Sequence, residues 1–235
     1  TLFQFPDSES RACVPTSLCP LLSPRCGHGV VTTYDNHVYA IGGYGGGDIY
    51  YSTGECYDYG YTDYSSPPRL IWEFMRKEGR YWGEKRSEET LINRYRNRNQ
   101  TIYAQLLPLD TAHATALAKQ LEDSLLEDQK YYIYHHFYDN CSTRIRDPLN
   151  TATDGALFKD TQTPDGPTYR EIAELGLSGI LPLQISLELG LGREADQSTS
   201  PWQRMLLPRE LRKQVQIHLK AKPLIVYQST APPPP

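Results

Sequence analysis

The stretch Tyr131-Tyr132-Ile133-Tyr134-His135-His136-Phe137-Tyr138-Asp139-Asn140-Cys141-Ser142-Thr143-Arg144-Ile145-Arg146-Asp147 decides how this chain reads, because its periodicity changes beside a cysteine that stands alone. In the first half the period is two: positions 131, 133, 135 and 137 share one side, and Tyr132, Tyr134 and Tyr138 the other. That pattern predicts a strand or extended segment delivering the chain to Cys141. Asp139 or Asn140 can then cap a helix over 142–147 with Ile145 facing inward, limited or kinked by Pro148. A helix start offers unpaired N–H groups and the positive dipole end, which stabilise a thiolate, and the Cys141 amide could serve a developing oxyanion. The same local sequence fits a buried, inert cysteine equally well.

Working outward, the other cysteines crowd into the first quarter: Cys13, Cys19, Cys26 and Cys56. Cys13 and Cys19 bracket a short loop that a disulfide can staple, and Cys26 with Cys56 is then the remaining pair, an arrangement suited to an oxidising compartment. Cys141 is left as the thiol. Five reduced cysteines in a cytosolic protein is the plain alternative, and a zinc site ranks last because no C-x2-C pair occurs. No metal and no cofactor is called for. The first residue is Thr1 and no signal pattern follows, as expected if a targeting segment has been removed or left out.

At 235 residues the chain can bury a substantial core, and its net charge of −4, with both signs mixed, leaves no cationic stripe for nucleic acid. No apolar run approaches the roughly 20 residues of a spanning helix. Contact with a membrane surface remains compatible with that. Residues 1–25 read as an extended arm rich in Pro, Ser and Leu. Residues 30–34 and 37–41 read as a hairpin, and 49–52 and 56–61 as further strands. Between them, Gly42-Gly43-Tyr44-Gly45-Gly46-Gly47 lacks the phosphate-cradling spacings and reads as a loop that breaks regular structure.

Helices are expected over 70–76, from a Ser87 cap through Leu91, Ile92 and Tyr95, and after Asp110 or Thr111 with a stripe at Leu117, Leu121 and Leu125. Later helices are expected at 169–175, at 183–189, and from Pro201 after Ser200, with a stripe at Leu207, Leu211 and Val215. The expected organisation is an arm (1–25), a catalytic core (26–150), a helical annex packed on it (151–222) and a Pro-rich tail (223–235).

Six histidines compete as a base for Cys141. His28 lies between Gly27 and Gly29 at a strand entrance, His135 and His136 are near in sequence, and His37, His113 and His218 look like hairpin, helix-surface and late-helix residues. Position alone leaves the choice open.

The segment from Tyr134 through His135-His136-Phe137-Tyr138-Asp139-Asn140-Cys141-Ser142-Thr143-Arg144 to Asp147 resembles the core motif of the Lnb N-terminal periplasmic domain family. Cys26-Gly27-His28 resembles that family's Phe-Gly-His strand start, with cysteine in place of the aromatic. Cys56-Tyr57-Asp58-Tyr59-Gly60-Tyr61-Thr62-Asp63-Tyr64 resembles its Tyr-Asn-Tyr-Gly strand, with Asp58 where asparagine is common. The chain from Ile71-Trp72-Glu73-Phe74 to Leu106-Leu107-Pro108-Leu109 resembles its linking helices. The likeness extends over residues 26–220 and departs from the family in the long glycine-rich insertion between His28 and Asp58.

The resemblance implies an α+β fold: a small antiparallel sheet with helices, in the permuted papain-like arrangement of NlpC-type enzymes and lecithin:retinol acyltransferase, plus a C-terminal helical annex. Carried over by position, it implies Cys141 as nucleophile, His28 as general base and acid, and Asp58 as the group orienting the imidazole, with Tyr138, Asp139 and Asn140 in support. The implied reaction is acyl transfer through a Cys141 thioester, from a phospholipid to a lipoprotein amine, with hydrolysis if water accepts. A peptidase or amidase on cell-wall peptide is the enzymatic alternative, and an inert secreted binding module the non-enzymatic one. The implied location is periplasmic or extracellular, in a bacterium.

Overall fold

A computed structural model of the chain describes residues 29–32, 38–43, 46–51, 55–63, 65–76, 78–176 and 191–230. Alternating β-branched and aromatic residues build β1 (Gly29–Thr32), β2 (Val38–Gly43), β3 (Gly46–Tyr51) and β4 (Glu55–Thr62), joined downstream by β5 (Arg80–Ser87), β6 (Ile102–Leu107), β7 (Tyr131–Ile133) and β8 (Pro223–Tyr227). They form one antiparallel sheet in the order β7-β5-β4-β3-β2-β6-β8, with β1 on β2. With helices packed on it, the fold is α+β, as expected.

Three local expectations need correction. The described glycines of the run belong to the sheet: Gly42 pairs with Gly47 and Gly43 with Gly46, because a residue without a side chain accepts extended backbone. The segment read with the linking helices contains β6, whose Ile102, Ala104 and Leu107 are buried. Its polar Gln105 is buried too, satisfied by donating Nε2 to the carbonyls of Arg212 and Ala221. The proline-rich tail begins with β8, which pairs along β6 at the sheet edge, a position that tolerates Pro223 as its first residue.

Helices cover both faces. The apolar stripe on α3 (Thr111–Asp123) buries Leu117 and Leu121 as its spacing dictates, and Asp110 caps it by accepting from the His113 amide at 2.8 Å. With α4 (Thr143–Ala152) and α7 (Pro208–Leu219), α3 forms a core around Tyr57, Tyr59, Ile145, Leu149, Leu211 and Val215. The preceding helix, α6 (Pro201–Arg204), opens on the expected Ser200 cap, closed by Gln203 reaching back. On the opposite face α2 (Glu88–Asn97), capped by Ser87, places Leu91, Ile92 and Tyr95 over Cys56. The remaining helices are α1 (Pro67–Met75) and α5 (Tyr169–Gly176); the helix expected at 183–189 lies outside the described residues.

Strand β4 is the hinge between these two cores. Tyr57 and Tyr59 face α3 and α4, and Cys56 and Asp58 face α2, as alternation requires. Then the register shifts between Tyr59 and Tyr61, where Gly60 takes φ 114°, and this bulge returns Tyr61 to the side of Asp58. Opposite Tyr59 lies Gly83, where an added Cβ would sit 2.6 Å from Leu125 Cδ2 and 3.0 Å from the Tyr59 ring. Close helix-to-sheet packing at that point depends on its missing side chain.

Candidate active site around Cys141

The segment leading to Cys141 is only half strand. Alternation holds through Tyr134: Tyr132 and Tyr134 are buried and Ile133 is exposed. It fails beyond, because residues 135–139 fold into a turn. His135 and Asp139 exchange backbone hydrogen bonds of 2.9 and 3.2 Å, and His135 Nδ1 accepts from the amides of Phe137 and Tyr138 at 3.3 Å. Phe137 is consequently buried against Tyr169, and Tyr138 stacks on His135 at the surface.

Asn140 then organises the helix entry. Its Oδ1 accepts from the amides of Ser142 and Thr143 at 2.8 and 3.0 Å, the work of an N-cap. Its Nδ2 donates to the carbonyls of His136 and Leu206 at 3.1 and 3.2 Å, and its own N–H donates to Thr143 Oγ1 at 2.8 Å. The formal boundary residue Ser142 makes no side-chain cap, so the capping expected of Asp139 or Asn140 falls to Asn140. Pro148 lies inside α4, which continues to Ala152. Cys141 sits between cap and helix with no exposed surface, packed in the same core as Tyr57, Tyr59 and Ile145.

Asp139 has a different task. Both its oxygens accept from Arg144, at 2.5 and 2.6 Å, and the Arg144 guanidinium lies 4.2 Å from the Tyr132 ring centroid. Burial opposes charge on Arg144, but the Asp139 carboxylate outweighs it and the net shift is upward. Burial pushes the Tyr132 hydroxyl well up, with the charge of a Cys141 thiolate acting in the same direction. The Tyr59 hydroxyl, 2.5 Å from Ser124 Oγ, is pushed up to about 12, again chiefly by burial.

These shifts predict an alkaline limit to stability. A tyrosine whose folded pKa exceeds its unfolded value binds its proton more tightly when folded, so that contribution is full below pH 10 and lost as pH rises towards 12. Tyr59 alone corresponds to about 3 kcal/mol across that window. Ultraviolet titration should show a late-ionising tyrosine class that appears together with unfolding above pH 10. Smooth ionisation of every tyrosine near pH 10 with the fold intact would contradict this.

Of the other residues singled out in the sequence, Asp58 is not brought to Cys141. It faces α2, where Oδ2 accepts from Arg94 Nη1 at 2.9 Å and from the Tyr61 hydroxyl at 2.6 Å. Cys141 packs on the other face of β4, a consequence of strand alternation. The Cys56 thiol donates to the Ser87 carbonyl at 3.7 Å. His28, Cys13, Cys19 and Cys26 lie outside the described residues, as does His37. His113 is bound to Asp110 at the start of α3, and His218 lies 3.1 Å from Gln214 Oε1. Arg144 and Tyr132 were assigned no role from sequence; their pairing is a contact between helix and strand that local pattern does not encode.

A family model described as the Lnb N-terminal periplasmic domain matches residues 33–174, a span that includes Asn140, Cys141 and Arg144 and begins after His28. No curated protein and no solved structure matches the chain. Among the described residues no helix is long and apolar enough to cross a membrane.

Proposed function

Because the chain belongs to the Lnb N-terminal periplasmic domain family, we propose that it works in the periplasm as a thiol acyltransferase or hydrolase with Cys141 as nucleophile. The observation that carries this reading is the Asn140 cap, which holds the sulfur at the entry to α4, where the positive helix end favours a thiolate. His28, assigned from the motif resemblance, is the base: it takes the thiol proton, Cys141 attacks a phospholipid ester carbonyl, and protonated His28 passes the proton to the leaving alcohol. A lipoprotein amine accepting the acyl group completes N-acylation; water in its place makes the site a lipase. Within this proposal the core is a permuted papain-like one, and the oxidising compartment suits a Cys13–Cys19 pairing; Cys56 carries a thiol in this structure, and a non-reducing peptide map reads directly whether it joins Cys26.

A second reading rests on one observation: Cys141 has no exposed surface, as suits a structural cysteine in a periplasmic binding module. Intact mass after incubation with phosphatidylglycerol vesicles separates the two. A fatty-acyl adduct on the wild type that is absent from Cys141→Ala supports the enzyme, and no adduct on either protein leaves the binding module.

A further inference from the structure

Two hydroxyls near Cys141 are buried without a hydrogen-bond partner. Tyr132 is 6% exposed and its OH is unpaired; Ser142 is 0% exposed and its Oγ is unpaired. A buried hydroxyl left unpaired costs about 1–3 kcal/mol, and such groups in a native fold call for an explanation. Ser142 follows Cys141 directly. Tyr132 comes from β7, is covered by the guanidinium of Arg144 from the first turn of α4, and its hydroxyl feels the charge of the Cys141 sulfur.

Beyond the Cys141 amide, the next two donors at the helix start are committed elsewhere. The amides of Ser142 and Thr143 both donate to Asn140 Oδ1, so neither is available to negative charge developing beside Cys141. An attacking thiolate converts a carbonyl oxygen into an oxyanion, and preorganised donors at that point supply much of the rate. We propose that the Tyr132 hydroxyl, with Ser142 as second donor, forms the oxyanion hole of the Cys141 reaction; this rests on Cys141 being the nucleophile. As the S–C bond forms, the carbonyl π pair moves to oxygen, where the two hydroxyls donate to it. The pair then returns, the ester C–O bond breaks, and the alkoxide takes the proton removed from the thiol. Tyr132 keeps its own proton throughout, since burial holds the phenol neutral around neutral pH.

Tyr132→Phe tests this, because it removes the hydroxyl and retains the ring under Arg144. Two rates are measured: acyl adduct formation from phosphatidylglycerol vesicles, which passes through an oxyanion, and alkylation of Cys141 by iodoacetamide, which does not. Tyr132→Phe is expected to slow acylation roughly 100-fold and to leave alkylation within about twofold of wild type. Ser142→Ala should slow acylation by a smaller factor, with alkylation again unchanged. Acylation at the wild-type rate in Tyr132→Phe overturns the assignment while the nucleophile stands; so does an equal loss in both rates, which would mean that Tyr132 acts on the thiol. If the wild type forms no adduct, the nucleophile reading and the oxyanion hole fall together.

Discussion

Asn140→Ala is expected to lower unfolding stability by about 3–5 kcal/mol, the largest loss from any single truncation around the site. The side chain is 2% exposed and makes four hydrogen bonds, two accepted from the amides that open α4 and two donated to the carbonyls of His136 and Leu206. Alanine removes the partner of all four backbone groups, three of them in buried contacts, and each lost bond contributes about 1 kcal/mol before any desolvation cost is added. Leu206 belongs to the C-terminal helical region, so the cut also loosens the join between that region and the Cys141 turn. Urea denaturation followed by circular dichroism measures the loss, and the melting temperature should fall by roughly 10 °C. Asn140→Asp keeps the acceptor and removes both donors, so it should recover part of the helix entry and none of the link to Leu206. A change below about 1 kcal/mol in Asn140→Ala would show that backbone contacts alone hold the turn.

How far the sequence could be read depends on how local each signal is. The caps at Ser87, Asp110 and Ser200 and the Leu117 and Leu121 part of the α3 stripe concern contacts within one or two turns and appear where residue spacing places them, while Leu125 falls in the turn after the helix. The Asn140-Cys141 helix entry is equally local. By contrast β5 carries Arg80, Glu84, Lys85 and Arg86 among its aromatics and looks like surface. Its charges are accommodated because Arg80 lies over the Tyr131 ring and Arg86 over the Tyr61 ring, contacts made across strands. The turn at residues 135–139 escaped notice for a similar reason: His135 supplies a side-chain acceptor that replaces strand hydrogen bonds, and alternation cannot register that. Asp58 shows what a motif leaves open. A motif gives a residue its place along a strand, and the side it faces follows from alternation and bulges.

That difference makes Asp58→Ala informative, with an expected loss of about 2–3 kcal/mol in stability and no effect on the chemistry of Cys141. The carboxylate of Asp58 is an anionic partner of Arg94 and also accepts from Tyr61, with side-chain exposures of 12% for Asp58 and 25% for Arg94. Removing it takes away an anionic partner from a guanidinium that lies over the Tyr61 ring, and partial exposure keeps the cost below that of a fully buried pair. A double-mutant cycle with Arg94→Ala should return a coupling of roughly 1–2 kcal/mol, since the two residues meet directly. An orienting role for Asp58 on the imidazole of His28 predicts the reverse pattern: a modest loss of stability, with the acylation rate reduced by an order of magnitude or more and rescued in part by Asp58→Asn. Acylation and iodoacetamide alkylation within about twofold of wild type in folded Asp58→Ala place the residue in the α2 face of the fold; a selective fall in acylation would return it to the active site, acting through the sheet.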